Sequence, residues 1–288
     1  MPSVSICILA RDEQDFLPAC LASVAGATEV LLVDTGSQDD TIDIAVRAGA
    51  RVMRMAWPSD FAVVRSAAAA AATGDWILFL DADERLVPGA MAAIREAIHE
   101  GVVVGLLPIT NADSMDAELV DVAQGRNALG EAVLQPRLLR RDVAQSWSYG
   151  VCEVPDVDLA RATELTAHIV HFGACHHPRN TLRNAPELWL RRAAAWPDDA
   201  AVQAEAARRL RIAGRNDEAN LRARAAWDLA IGAGGCRRGL VQAAMVRTLL
   251  LLDDGKFREA RHVLEHARRL GAGHPNLDLL VGLCAIEL

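Results

Sequence analysis

Lysine is nearly missing from this chain, with Lys256 the only one among 30 basic residues. Aromatic side chains make up 4%, so Ala, Val and Leu must do most of the core filling. No apolar run approaches the roughly 20 residues needed to span a bilayer. Met1-Pro2-Ser3 leads straight into a strand pattern, with neither a basic nor an apolar leader. Paired metal-binding cysteines are absent too. Cys7, Cys20, Cys152, Cys175, Cys236 and Cys284 are scattered, form no C-x-x-C array, and mostly lie in apolar surroundings typical of buried thiols. Cys175-His176-His177 lacks a second ligand pair at zinc spacing. These absences set the expectation of a cytoplasmic protein with reduced thiols and no transmembrane segment.

What is present is a chain of 288 residues, 52% hydrophobic and 24% charged, enough for a real core in one large domain or, on length, two. Its charge is divided unevenly. Residues 1–175 hold 12 basic and 25 acidic groups, whereas residues 176–288 hold 18 and 13. The acidic front half argues against nucleic acid as a ligand and tolerates a divalent cation. The basic back half suits an anionic partner or simply a solvated helical surface.

Along the first 80 residues strands and helices alternate. Ser3–Ala10, Glu29–Asp34, Arg51–Met55 and Trp76–Leu80 are strand-like, and helical patterns separate them, ending with alanine-rich Phe61–Thr73. Ser37 and Asp40 have the spacing of a capping box for the second helix. The order implies a parallel, right-handed, doubly wound sheet. Further on, Pro88–His99 reads as a helix, and Val102–Ile109, Gln135–Arg140 and Leu165–Phe172 as strands. Residues 111–131 give only a polar loop or a hairpin. After Pro178 every pattern is helical, and Gly214-Arg215-Asn216-Asp217-Glu218-Ala219 recurs 41 residues later as Gly255-Lys256-Phe257-Arg258-Glu259-Ala260. Such self-similarity marks stacked helical hairpins, akin to tetratricopeptide repeats. The expected division is an α/β domain over 1–176 and a helical-hairpin repeat domain over 177–288.

Chemistry concentrates at Trp76-Ile77-Leu78-Phe79-Leu80-Asp81-Ala82-Asp83-Glu84, a buried strand running into three carboxylates. In extended chain residues i and i+2 share a side, so Asp81 and Asp83 can aim into one site. Two hard oxygen donors at the mouth of a parallel sheet suit Mg²⁺ or Mn²⁺ with phosphate oxygens completing the shell. Taken alone, the stretch reads more readily as a solvated acidic loop closing a strand than as a metal site.

Taken together, Ile6–Glu13, Val33-Asp34-Thr35-Gly36-Ser37-x-Asp39-x-Thr41, Trp57-x-x-Asp60-Phe61-x-x-x-Arg65 and Gly74-Asp75-Trp76-x-x-x-Leu80-Asp81-Ala82-Asp83-Glu84 resemble the family 2 nucleotide-sugar glycosyltransferases of GT-A fold. Arg137-Leu138-Leu139-Arg140, Gly150-x-Cys152-Glu153 and His171-Phe172-Gly173 are weaker echoes. The resemblance runs from Ser3 to about Gly173. The subgroup with a tetratricopeptide tail, which includes bacterial enzymes that glycosylate peptides on sulfur, is the most similar.

The resemblance implies roles residue by residue. Ala10, Arg11 and Glu13 would form the wall on which the donor's base rests, and Gly36 belongs to the loop after the second strand. Asp34 would hydrogen-bond the base, with uridine favoured; structurally it could instead cap its own turn. Arg65 offers a planar donor fork to base or diphosphate, or else an ion pair with Asp60 or Asp75. Asp81, with Ala82 beside it, would lie near the ribose, and Asp83 would ligate the metal. His171 is the third ligand, a diphosphate contact, or a packed histidine. Glu153 is the candidate base for an inverting displacement, although Cys152 stands where relatives carry His. Trp57 and Trp147 could stack on a sugar or fill the core.

These implications favour a metal-dependent transferase taking a nucleotide diphosphate-sugar as donor and a peptide, protein, glycan or lipid-linked saccharide as acceptor. The helical repeats would hold the acceptor or make a homodimer. A degenerate transferase domain kept as a scaffold is the alternative, to which Cys152 and Ser66, the latter at a position frequently Asn in relatives, lend some support. A nucleotidyltransferase is disfavoured, since Ala10-Arg11-Asp12-Glu13 lacks the glycines and positive charge that grip a triphosphate.

Overall fold

The structure is a computed structural model. It describes residues 2–58, 60–148, 154–173, 186–232 and 237–272, together with Leu277, Leu280, Val281 and Cys284. The chain divides into two compact units, Met1–Asn180 and Thr181–Leu288.

In the first unit, β1 (Val4–Ala10), β2 (Glu29–Asp34), β3 (Arg51–Arg54) and β4 (Trp76–Asp81) are mutually parallel in the spatial order β3-β2-β1-β4. Every residue of β1 is buried, because helices cover both faces of the sheet. Alternation along the strands divides the core. Val4, Ile6, Ile8, Leu78 and Leu80 face a cluster that includes Leu17 and Cys20 of α1 (Leu17–Ser23), Ala45 of α2 (Thr41–Arg47) and Ile94 of α4 (Ala90–His99). Cys7, Leu9, Ile77 and Phe79 face Ala62, Val64, Ala68 and Ala69 of α3 (Phe61–Ala71) on the other side. Small alanines let α3 lie close to the sheet.

Beyond β4 the sheet becomes mixed. Its full order is β3-β2-β1-β4-β7-β6-β11-β5, where β5 is Glu84–Leu86, β6 Val104–Asn111, β7 Val133–Arg140 and β11 Ile169–His171; β10 (Thr163–Glu164) also pairs with β6. β7 runs antiparallel to both β4 and β6, and β5 antiparallel to β11. A short pair, β8 (Trp147–Ser148) with β9 (Val154–Pro155), stands outside this sheet. The stretch 111–131, a polar loop or a hairpin by sequence, contains a short helix α5 (Leu119–Ala123) and an Ala112–Ala128 bridge.

The expected capping box does not form. Asp40 occupies the N-cap of α2 without a side-chain cap bond. The Ser37 hydroxyl accepts instead from the Asp12 N–H at 2.9 Å, and Asp39 accepts from the Thr41 N–H at 3.0 Å. Cross-loop contacts took the groups that local spacing assigned to the cap.

The second unit is helical: α6 (Pro186–Ala195), α7 (Ala200–Ile212), α8 (Asn216–Ile231), α9 (Arg237–Asp253) and α10 (Phe257–Arg269). Its core is dominated by alanine, including Ala204, Ala207, Ala219, Ala223, Ala243, Ala260 and Ala267. The 41-residue recurrence reappears as duplicated helix endings. Gly214 and Gly255 both take positive φ, 75° and 70°. Behind them the Arg215 N–H reaches Leu210 O at 2.9 Å, and the Lys256 N–H reaches Leu251 O at 2.8 Å. These are Schellman closures, whose left-handed residue favours glycine. No helix among the described residues is long and apolar enough to cross a membrane. Cys7, Cys20 and Cys284 are free and buried.

Candidate active site

The C-terminal ends of β1, β2 and β4 share one edge of the sheet, with Ala10 paired to Asp34 and Leu9 to Asp81. Two loops are stitched together there. The Gln38 N–H donates to Asp12 Oδ1 at 2.7 Å, and the Glu13 N–H to Thr41 Oγ1 at 2.7 Å. Asp12 takes a left-handed φ of 55° within this lattice. Asp34 is 3% exposed and accepts from the Gly36 N–H at 3.1 Å and the Ser37 N–H at 3.2 Å. The Asx turn anticipated as the structural alternative is therefore present, and Gly36 at φ 110° supplies the bend. Ala10 is buried, Glu13 half-buried, and Arg11 and Gly36 exposed.

Asp81 and Asp83 do not share one face of an extended strand, contrary to what their spacing predicts. β4 ends at Asp81, and Ala82-Asp83 form a turn before β5 begins at Glu84. The two carboxylates accordingly engage different partners. Asp81 Oδ1 accepts from Arg65 Nη2 at 2.9 Å, and Arg137 Nη2 lies 3.9 Å from its Oδ2. Neither Asp60 nor Asp75, the ion-pair partners that formed the structural alternative for Arg65, pairs with it here: Asp60 caps α3 through the Val63 N–H, and Asp75 binds Ser3. Position explains the difference, because Arg65 lies one turn inside α3 and faces β4, with its guanidinium 5.5 Å from the Phe79 ring and 5.3 Å from that of Trp147. Trp147 is buried against Phe79 and so belongs to the core, while Trp57 packs edge-on against Phe61.

Beneath Asp81 lies a buried ion pair to which sequence reasoning gave no role. Glu84, 2% exposed, accepts from the Asp81 N–H at 2.8 Å and from Arg137 Nη2 at 2.6 Å. Burial raises the Glu84 pKa, with Arg137 opposing and Asp81 adding to the rise. Arg137 also donates to Phe79 O at 3.3 Å. Sequence offered one clue in the Arg137 echo; the burial of Glu84 needs β5, a three-residue strand too short to show a period.

Asp83 faces β11. Its Oδ2 lies 3.3 Å from His171 Nε2, and its backbone carbonyl accepts from the Phe172 N–H at 2.9 Å. His171 stands in register between Glu84 of β5 and Asn111 of β6. Burial works against a charged imidazole, but the hydrogen bond to Asp83 and the nearby Asp83, Glu84 and Asp81 charges outweigh it and raise the His171 pKa. A carboxylate oxygen and an imidazole nitrogen at this separation suit neighbouring positions around Mn²⁺ or Mg²⁺, where bonds of about 2.1 Å put adjacent donors roughly 3.0 Å apart. Space is kept for such a ligand: a Cβ on Gly173 would lie 2.6 Å from His171 Nε2 and would also meet Asp83 Oδ2. The donor set fits the cation in kind. Among the described residues no three His, Cys, Asp or Glu side chains are grouped to hold a metal unaided. Glu153 and Cys175-His176-His177 lie outside the described residues.

A parallel β3-β2-β1-β4 half joined to an antiparallel extension, with carboxylates at the C-terminal edge, defines a GT-A type α/β domain. Residues 5–145 match the Glycosyl transferase family 2 model and are a domain of that family. The chain is 48% identical over 101 residues to a TPR repeat-containing protein of Synechococcus elongatus, which covers 35% of this chain and 25% of that one. It is 36% identical over 87 residues to an uncharacterized glycosyltransferase of Rickettsia typhi, 30% of each. The chain thus spans a quarter to under a third of the length of these two curated relatives. Among solved structures, S. aureus TarS matches 91% of this chain and 54% of its own at 15% identity and a TM-score of 0.50, a likeness of fold.

Proposed function

We propose that this chain is a metal-dependent inverting glycosyltransferase. It takes a nucleotide diphosphate-sugar, with uridine the favoured base, and delivers the sugar to a peptide, glycan or other acceptor. The observation that carries the reading is the Asp83–His171 pair at the open edge of a family 2 domain, beside an Asp81 clamped from below by Arg65, Arg137 and Glu84.

In this reading the donor lies across the ends of β1, β2 and β4. Asp34 accepts from the base through lone pairs its own turn leaves over, with Ala10, Arg11, Glu13 and Gly36 around it. Asp81, held by two arginines, receives the ribose, and Ala82 lets the chain turn beneath it. Asp83 and His171 would hold Mn²⁺ or Mg²⁺, which when bound neutralises charge gathering on the departing diphosphate. Glu153 takes the acceptor's proton as the bond from the anomeric carbon to the diphosphate breaks and the bond to the acceptor forms.

The test begins with binding. Uridine diphosphate and Mn²⁺ together should raise the melting temperature more than either alone, because a ligand of the native state stabilises it by mass action. Asp83→Ala should remove Mn²⁺-dependent donor turnover while leaving the metal-free melt close to wild type. Unchanged metal-dependent turnover in that variant would displace the metal from this site. Glu153→Gln should still bind the donor and lose transfer; intact transfer would remove Glu153 as the base.

A further inference from the structure

His171 Nδ1 lies 2.7 Å from Asn111 Oδ1, an interaction set by the parallel pairing that puts these residues side by side on β6 and β11. An amide oxygen accepts and cannot donate, so it requires the proton on Nδ1. Nε2 is then the nitrogen turned toward Asp83 Oδ2 at 3.3 Å, free to donate when protonated and to ligate a cation when not. Either the second ring proton or a cation can occupy the gap between Nε2 and Oδ2. Directly over this gap stands Gly173, the one residue type whose side chain does not fill it. Its missing Cβ would press first on the ends of both side chains, so a larger residue would displace the pair.

We infer that Asn111 and Gly173 are positioning residues for the metal pair: Asn111 fixes the ring and tautomer that direct His171 Nε2 at the cation, and Gly173 leaves the opening the cation enters. This rests on the metal-site reading above and extends it to two residues that would touch neither donor nor acceptor. Outer partners of ligating histidines typically change metal affinity by 10–100-fold when removed.

The test uses the full chain, Mn²⁺ and uridine diphosphate, read by electron paramagnetic resonance of the bound metal rather than by turnover. Wild type should bind Mn²⁺ and show nitrogen modulation from a coordinated imidazole. Asn111→Leu should weaken Mn²⁺ about 10–100-fold and lose the nitrogen signal, with Asn111→Ala reading the same contact should leucine not fold. Asn111→Asp, which keeps an acceptor toward Nδ1, should restore both. Gly173→Ala should lose Mn²⁺ while melting like wild type without metal. Wild-type Mn²⁺ affinity and nitrogen signal in Asn111→Leu, or failure of Asn111→Asp to restore them, would overturn the role of Asn111. Unaltered Mn²⁺ binding in Gly173→Ala would overturn that of Gly173. A wild-type chain that binds no Mn²⁺ would instead remove the metal reading itself, and this inference with it.

Discussion

Individual side chains at the two ends of the sheet do different work. At the C-terminal edge, Glu84 and Arg137 form a buried pair whose members satisfy each other, Phe79 O and the Asp81 N–H. Removing one partner leaves an uncompensated buried charge, so Arg137→Met should cost about 3–5 kcal/mol in a denaturant titration. At the opposite edge, Glu29 accepts from the Ser5 hydroxyl, from the Thr73 N–H and hydroxyl at 2.8 and 2.9 Å, and from Arg51. Burial raises its pKa, but the hydrogen bonds from Ser5, Thr73 and Arg51 outweigh it and bring the value from 4.5 to about 2. A carboxylate depressed in the folded state stabilises it above the unfolded pKa and loses that contribution as pH falls. The gap in melting temperature between wild type and Glu29→Gln should therefore be constant above about pH 5 and shrink as the pH drops toward about 2. A gap that did not change over that range would contradict the assignment.

The β1–β4 pairing is the element on which the site depends, since it sets Leu9 opposite Asp81. Its register is fixed at the far end by Gly74, whose N–H donates to Ser5 Oγ at 2.8 Å and whose Cβ, were there one, would lie 2.6 Å from the Ser5 backbone nitrogen. Backbone cannot step aside as a side chain can. Gly74→Ala should destabilise the first unit by about 1–3 kcal/mol or more, visible as a lowered urea midpoint. Helix α3, which presents Arg65, begins at an Asp60 whose carboxylate accepts from the Val63 N–H at 3.2 Å. Asp60→Ala should cost about 1 kcal/mol and leave the Arg65–Asp81 contact intact.

As a whole, the molecule consists of two compact units with separate cores. Two cores need not unfold together, and calorimetry should resolve more than one transition. Leu264 is fully buried in the alanine-rich core of the helical unit. Leu264→Ala should lower the transition of that unit by about 2–5 kcal/mol and leave the transition raised by Mn²⁺ and uridine diphosphate in place. A shift of both together would show that the units unfold as one.

Strong local patterns carried much of this structure into view from the sequence. The continuous apolar runs of β1 and β4 could be placed because strands buried on both faces need them, and the repeated helix endings at Gly214 and Gly255 because a left-handed turn favours glycine. The residues of the candidate site, Asp34, Arg65, Asp81, Asp83 and His171, were legible as chemistry-bearing types in a family pattern. Their partners were not. That Arg65 meets Asp81 follows from the packing of α3 on β4, and that Arg137 meets the buried Glu84 and Asn111 stands beside His171 follows from strand order and register; these contacts join residues 16, 53 and 60 positions apart. Local propensity has no access to separations of that kind. Only the assembled sheet, by placing β7 against β4 and β11 between β6 and β5, decided which charge neutralises which.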